Sequence, residues 1–238
     1  MQMRRVVVIL IVLVILLPFL SLATDQEKNT DIELKSFAEK ISYVLGQEIG
    51  TSFKDSPTEI DLDIFMRGIK DSIKGTKSPL DADETNQIKQ EFSRQVQENR
   101  NQKMAALSEK NRADGEAFLA ANKNKEGIVT TDSGLQYKVL RKGDGPKPQK
   151  TDRVTVHYSG TLLDGTEFDS SYTREKPATF QVGRVIPGWT EALQLMNVGS
   201  KYRLFIPSDL AYGARGAGGQ IGPNSMLIFD VELLSIEQ

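Results

Sequence analysis

The sequence predicts an α+β protein: a C-terminal antiparallel sheet wrapped on one short helix, preceded by an all-α N-terminal region with a long connecting helix. Two observations carry that prediction. Apolar residues recur at steps of three and four along the first part of the chain, and no proline or glycine interrupts residues 80–114. From Ile128 onward the texture changes to short alternating segments punctuated by glycine and proline, the pattern of antiparallel strands.

The first 23 residues stand apart from both. Arg4 and Arg5 lie in a short basic start, Val6 to Leu17 is an unbroken apolar run, Pro18 interrupts it, and Ser21, Leu22 and Ala23 supply the small residues of a cleavage site. This is read as a secretory signal at 1–23. The other reading, an uncleaved anchor, fits less well, because a spanning helix needs about 20 apolar residues. With no cysteine in the chain, lipid attachment through one, disulfides and thiolate metal sites are excluded.

Residues 24–78 are expected to be a helical dimerisation domain. A helix is predicted from Asp31 to about Phe53, with Leu34, Phe37, Ile41, Leu45, Ile49 and Phe53 in one stripe. A second runs from about Asp61 to Ile73, with Leu62, Phe65, Met66, Ile69 and Ile73 on one side. Two short helices cannot enclose a core, so a second copy of the chain is the expected cover. Gly46 and Gly50 would let another backbone approach, the reading the stripe on both sides favours over a frayed helix end.

The long connecting helix is placed at 79–124. Ser78 is read as its cap, with Pro79 in the first position and Asp81 three residues on. Ile88, Phe92 and Val96 give its start an apolar side, but Gln97 to Lys103 is polar all round, which describes a solvent-crossing strut about 60 Å long.

The remaining domain is placed at 125–238. Val154, Val156, Tyr158, Gly160 and Leu162 share one strand face, and Arg153, Thr155, His157 and Thr161 the other. Tyr202, Leu204 and Ile206 alternate likewise, as do Leu227, Phe229, Val231 and Leu233. One helix intervenes, with Trp189, Ala192, Leu193 and Met196 at helical spacing and Gly199 as its stop.

Charge and residue inventory narrow the chemistry. Without residues 1–23 the chain carries 28 basic and 32 acidic side chains, and no clustered basic face of the kind a nucleic acid requires. His157 is the only histidine, and strand alternation turns it away from the face carrying Tyr158, so neither a hydrolytic triad nor a metal centre can be assembled. Residues 213–222 are glycine-rich but lack the lysine and following helix of a phosphate loop. What the domain has is a surplus of aromatics beside loops: Tyr158, Phe168, Phe180, Trp189, Tyr212 and Phe229. They form either a plain aromatic core or, with Asp169 and the Val185 to Gly188 segment, an apolar cup with few polar groups at its lip.

Five strings in this order, VTVHYSG (154–160), DGTEFDSS (164–171), VIPGWTEAL (185–193), PSDLAYGARG (207–216) and LIFDVELL (227–234), resemble FKBP-type peptidyl-prolyl cis-trans isomerases. Upstream, SYVLGQEIG (42–50), GEAFLAANKNKEG (115–127) and SGLQYKV (133–139) are similar to the exported macrophage infectivity potentiator branch in Gram-negative bacteria. The resemblance implies a cofactor-free prolyl isomerase with Trp189 as the pocket floor and Tyr158, Phe168, Val185, Ile186 and Phe229 as walls. It further implies that the Ile186 amide and Tyr212 hydroxyl bind substrate carbonyls, that Asp169 contacts Tyr158 and Arg174 at the rim, and that Phe180 and Ile221 also meet substrate.

The partners so implied are proline-containing polypeptides, the macrolides rapamycin and tacrolimus, and a second copy of the chain. The place is the periplasm, or the outer membrane or cell surface by peripheral association. Ala178 and Gln220 depart from the aromatic and the aliphatic residue that tight macrolide binders carry there. Asp169 could orient and polarise or be a structural acceptor. A chaperone and a surface adhesion factor using the same cleft are the alternative roles.

Overall fold

The computed structural model describes residues 32–54 and 56–237; the signal segment read at 1–23 lies outside them. The chain divides into two units, with the boundary in sequence between residues 55 and 56.

The described part of the first unit is α1 (Phe37–Phe53). It starts later than the apolar stripe suggests. Ser36 and Glu39 form a reciprocal capping box, Ser36 Oγ accepting from the Glu39 amide and the Glu39 carboxylate accepting from the Ser36 amide at 2.8 Å, so Leu34 precedes the helix. No residue of α1 is buried; Phe37 is 81% exposed. Among the described residues, nothing outside the helix's own backbone lies within 4 Å of where a side chain would project from Gly46 or Gly50.

In the second unit, α2 (Leu62–Lys74) is capped by Asp61, which accepts from the Asp63 and Ile64 amides, and stops at Gly75 with φ 66°. Leu62, Ile64, Met66 and Ile73 are exposed on it. The long helix α3 (Ala82–Asn122) is 41 residues, but its cap is Asp81, not Ser78. Ser78 Oγ instead accepts from the Leu80 amide in the turn before, while the Asp81 carboxylate takes the Glu84 amide at 2.8 Å. A charged acceptor at the positive end of the helix is the stronger cap.

Only part of α3 is a strut. Its last four turns pack on the sheet domain: the Phe118 ring lies 5.7 Å from Phe205, and buried Asn122 donates to Gln136 Oε1 at 3.0 Å. Gln136 in turn donates to the Leu119 carbonyl. Asn111 Nδ2 donates to the Pro223 carbonyl and Ser225 Oγ, and Asn224 Nδ2 to Ser108 Oγ. This adds a second buried face to the strand read from Tyr202, Leu204 and Ile206: Phe205 points opposite to Leu204 and Ile206, and is buried because α3 covers that side.

Seven antiparallel strands follow: β1 (Ile128–Thr130), β2 (Gln136–Arg141), β3 (Arg153–Thr161), β4 (Glu167–Ser170), β5 (Ala178–Gln181), β6 (Lys201–Ile206) and β7 (Leu227–Glu237). Their order is β1-β2-β6-β7-β3-β4, with β5 pairing the first half of β3 and β4 its second half. Buried and half-buried residues alternate along β3 and β7.

The inner face packs on α4 (Pro187–Leu195), which buries Trp189, Ala192 and Leu193. The helix ends before the expected glycine: Gly199, at φ 89°, belongs to the turn entering β6 and donates to the Leu233 carbonyl. Gly188 allows the close docking of α4, since a β-carbon there would lie 2.5 Å from Ile206 Cγ2.

Candidate functional site

Where α4 meets the strands, the sheet curls around a cleft of about 450 Å³ lined by Tyr158, Phe168, Asp169, Phe180, Arg184, Val185, Ile186, Trp189, Tyr212 and Phe229. All six aromatics singled out in the sequence therefore share one hollow.

Trp189 organises it. Its ring meets Tyr158 at 5.2 Å, Phe180 at 5.5 Å and Phe229 at 5.2 Å, each nearly perpendicular, the arrangement ring quadrupoles favour. Phe168 meets Phe229 edge to face at 5.5 Å. Gly160 makes this possible, because a β-carbon there would come within 2.5 Å of the Phe229 ring and 2.8 Å of the Phe168 ring. Trp189 is only 4% exposed yet lines the cleft, as a floor does.

The lip is polar at few points. Tyr158 donates its hydroxyl to Asp169 Oδ2 at 2.5 Å, and Arg174 bonds the other Asp169 oxygen and the Tyr158 hydroxyl. The Arg174 guanidinium also lies 5.6 Å over the Tyr158 ring. Burial tends to raise the Asp169 carboxyl, but hydrogen bonds from Tyr158 and Arg174 prevail and hold it below the ordinary carboxylate range. Burial, aided by the Asp169 bond, pushes the Tyr158 hydroxyl up. At neutral pH the trio is one anion, one cation and a neutral phenol, with no group poised to exchange a proton.

Three donors around the cleft have no acceptor among the described residues. Trp189 Nε1 is buried and unpaired. The Ile186 amide, just before α4, meets no backbone acceptor, although the Ile186 carbonyl receives the Trp189 and Thr190 amides. The Tyr212 hydroxyl, on a residue 41% exposed, bonds nothing. Unpaired donors around an apolar hollow suit a ligand that brings carbonyl oxygens and greasy surface together.

Two expected positions fall elsewhere. Ile221 is buried in the core, because its two-way backbone bridge with Ala217 turns it inward, and it does not line the cleft. Arg174 acts on the rim from outside rather than lining it. His157 is half-buried on the opposite strand face, stacked 4.8 Å from Tyr172 with Nδ1 2.9 Å from Ser171 Oγ. Gln220 lines a separate groove against α3. Sequence reasoning missed Arg184, which as one charge in a loop has no pattern to mark it. It also missed buried Ser171, whose Oγ accepts from the Tyr158 amide and so fixes that strand position.

The family model described as FKBP-type peptidyl-prolyl cis-trans isomerase matches residues 145–234. The model described as the domain amino terminal to FKBP-type peptidyl-prolyl isomerase matches residues 38–139. The chain is 44% identical over 219 residues to a Legionella longbeachae protein named outer membrane protein MIP, covering 92% of this chain and 94% of that one. It is 45% identical to the FKBP-type 22 kDa peptidyl-prolyl cis-trans isomerase of Escherichia coli, over 82% of this chain and 93% of that one. Among solved structures, FkpA from Escherichia coli matches with a TM-score of 0.69 at 38% identity, covering 86% of this chain and 99% of that one. A peptidyl-prolyl cis-trans isomerase from Pseudomonas syringae pv. tomato matches with a TM-score of 0.52 at 44% identity, covering 55% and 96%.

Proposed function

The chain belongs to the FKBP-type peptidyl-prolyl cis-trans isomerase family, and from that premise we propose that the aromatic cleft is where it turns the bond preceding proline. Family membership makes the chain a prolyl isomerase; the roles below are our reading of the cleft.

Rotation of a prolyl bond faces a barrier of roughly 18–20 kcal/mol because amide resonance must be lost, and unassisted exchange takes tens of seconds or more. Midway, the C–N bond is single and the amide less polar. A hollow floored by Trp189 and walled by Tyr158, Phe168, Phe180, Val185 and Phe229 favours that conformer over the planar, polar one. The Ile186 amide and Tyr212 hydroxyl are read as donors to substrate carbonyls, which fixes the flanking chain while the bond turns. Asp169, held by Arg174, orients Tyr158 at the rim.

The observation that carries this reading is the coincidence of an apolar, aromatic floor with donors that nothing in the described chain satisfies. The test is catalysed cis-trans exchange of a short proline peptide, followed by NMR. The unaltered chain should accelerate it, and Tyr212→Phe should lower kcat/KM about two- to tenfold, the worth of one neutral hydrogen bond. Exchange at the spontaneous pace would refute the reading.

We further propose export to the periplasm or outer membrane, in line with residues 1–23 and the relative named an outer membrane protein. The exposed apolar faces of α1 and α2 support pairing with a second copy. Proline-containing polypeptides are the proposed substrates, and macrolides such as rapamycin the proposed competitors.

A further inference from the structure

Of the ten residues lining the cleft, two are charged, and only one of those charges is balanced. Asp169 is neutralised by Arg174. Arg184 makes no hydrogen bond or ion pair with any described residue, and its side chain stands exposed at the lip. The rim therefore carries one uncompensated positive charge, on a chain whose net charge is −2.

The backbone beneath Arg184 is firmly placed. It closes the 3-10 turn Val182–Arg184, where the Val182 amide donates to the Asp152 carbonyl at 2.9 Å and Thr190 Oγ1 donates to the Val182 carbonyl at 2.7 Å. Gly183 lies against Lys150, where a β-carbon would come 2.9 Å from the Lys150 carbonyl oxygen. Lys150 and Glu191 lie on the neighbouring groove outside the cleft, and Glu191 accepts a bond from Ser133 at 2.6 Å. Arg184 stands two residues before Ile186, whose unpaired amide is the proposed carbonyl donor. On that reading, a substrate strand held by the Ile186 amide runs beside the segment that carries Arg184 at the lip.

We infer that Arg184 is a specificity determinant that selects proline sites with an acidic side chain next to the proline. The inference rests on the isomerase reading of the cleft. An aspartate or glutamate flanking the proline meets a partner that is otherwise unmatched, and a lysine there meets a like charge. Both effects operate at a solvent-exposed lip, so they are modest and screened by salt.

The experiment uses the purified chain and two sets of proline peptides, with Glu, Gln, Lys or Leu placed immediately before the proline in one set and immediately after it in the other. Comparing kcat/KM among peptides within one protein variant cancels any loss common to all of them. In at least one set Glu should exceed Gln by about two- to fivefold at low ionic strength, with Lys below Gln, and the spread should collapse in 0.5 M salt, where the screening length is only about 4 Å. Arg184→Gln should bring the Glu-to-Lys ratio close to one, Arg184→Glu should invert it, and Arg184→Lys should keep it. A ratio near one in both sets, or a ratio unmoved by Arg184→Glu, overturns the inference even when the Leu peptides are turned over. Failure of the unaltered chain to turn over any Leu peptide would instead overturn the isomerase reading beneath it.

Discussion

Gly160 shows how a single residue shapes the site. On β3 it is the last inward position, after Val154, Val156 and Tyr158, and the space it leaves is filled by the edges of Phe168 and Phe229. Gly160→Ala should force those rings apart, destabilise the domain by about 1–3 kcal/mol, as overpacking does, and lower isomerisation beyond the stability loss. Thermal unfolding beside kcat/KM checks it. Asp169 sets the pH response. Because its folded pKa lies below the ordinary carboxylate value of about 3.9, the ionised rim is fully present above that value and is lost as pH falls through the lower folded value. The kcat/KM profile should therefore stay level from about pH 8 down to pH 5 and decline only below about pH 4. A bell centred near neutrality would instead indicate a titrating acid–base pair.

At the scale of elements, the strands and α4 were legible because their apolar periods are sustained: β3, β7 and the Trp189 face of α4 could be read residue by residue. The cleft aromatics were legible for the same reason, as large apolar residues beside turns. Polar docking was not. Asn111 and Asn122 look like solvated helix positions, yet Asn122 is buried against Gln136 and Asn111 holds the Pro223 carbonyl. A polar residue becomes structural only when its partner, distant in sequence, is known. Ile221 lies in a glycine-rich segment with no apolar period to tell inside from outside, and its backbone bridge with Ala217 is what turns it toward the core. Two outcomes follow from α3 docking. Phe118→Ala, at a half-buried position, should cost about 2 kcal/mol, below the range for fully buried Phe. Asn122→Ala, which strands Gln136 Oε1, should cost about 1–3 kcal/mol, with Gln136→Leu beside Asn122→Leu recovering much of it. Melting of the single and double variants distinguishes packing from polar satisfaction.

At the scale of the molecule, the two apolar helix faces remain to be covered. Phe37 on α1 and Ile73 on α2 are 81% and 80% exposed, far beyond what isolated surface apolar residues explain. Sedimentation of the protein without residues 1–23 should give twice the mass of one chain at micromolar concentration, and replacing Phe37, Leu45 and Ile73 by glutamate should release single chains. A monomer before substitution would contradict the pairing. In the cleft, rotation is eased by an apolar hollow and fixed donors, with no proton moved. Catalysed exchange of one proline peptide, measured side by side in H2O and D2O at matched positions on the pH plateau, tests it most directly. Equal kcat/KM in the two solvents is expected; a slowing of about twofold or more in D2O would show a proton in flight and rule this mechanism out.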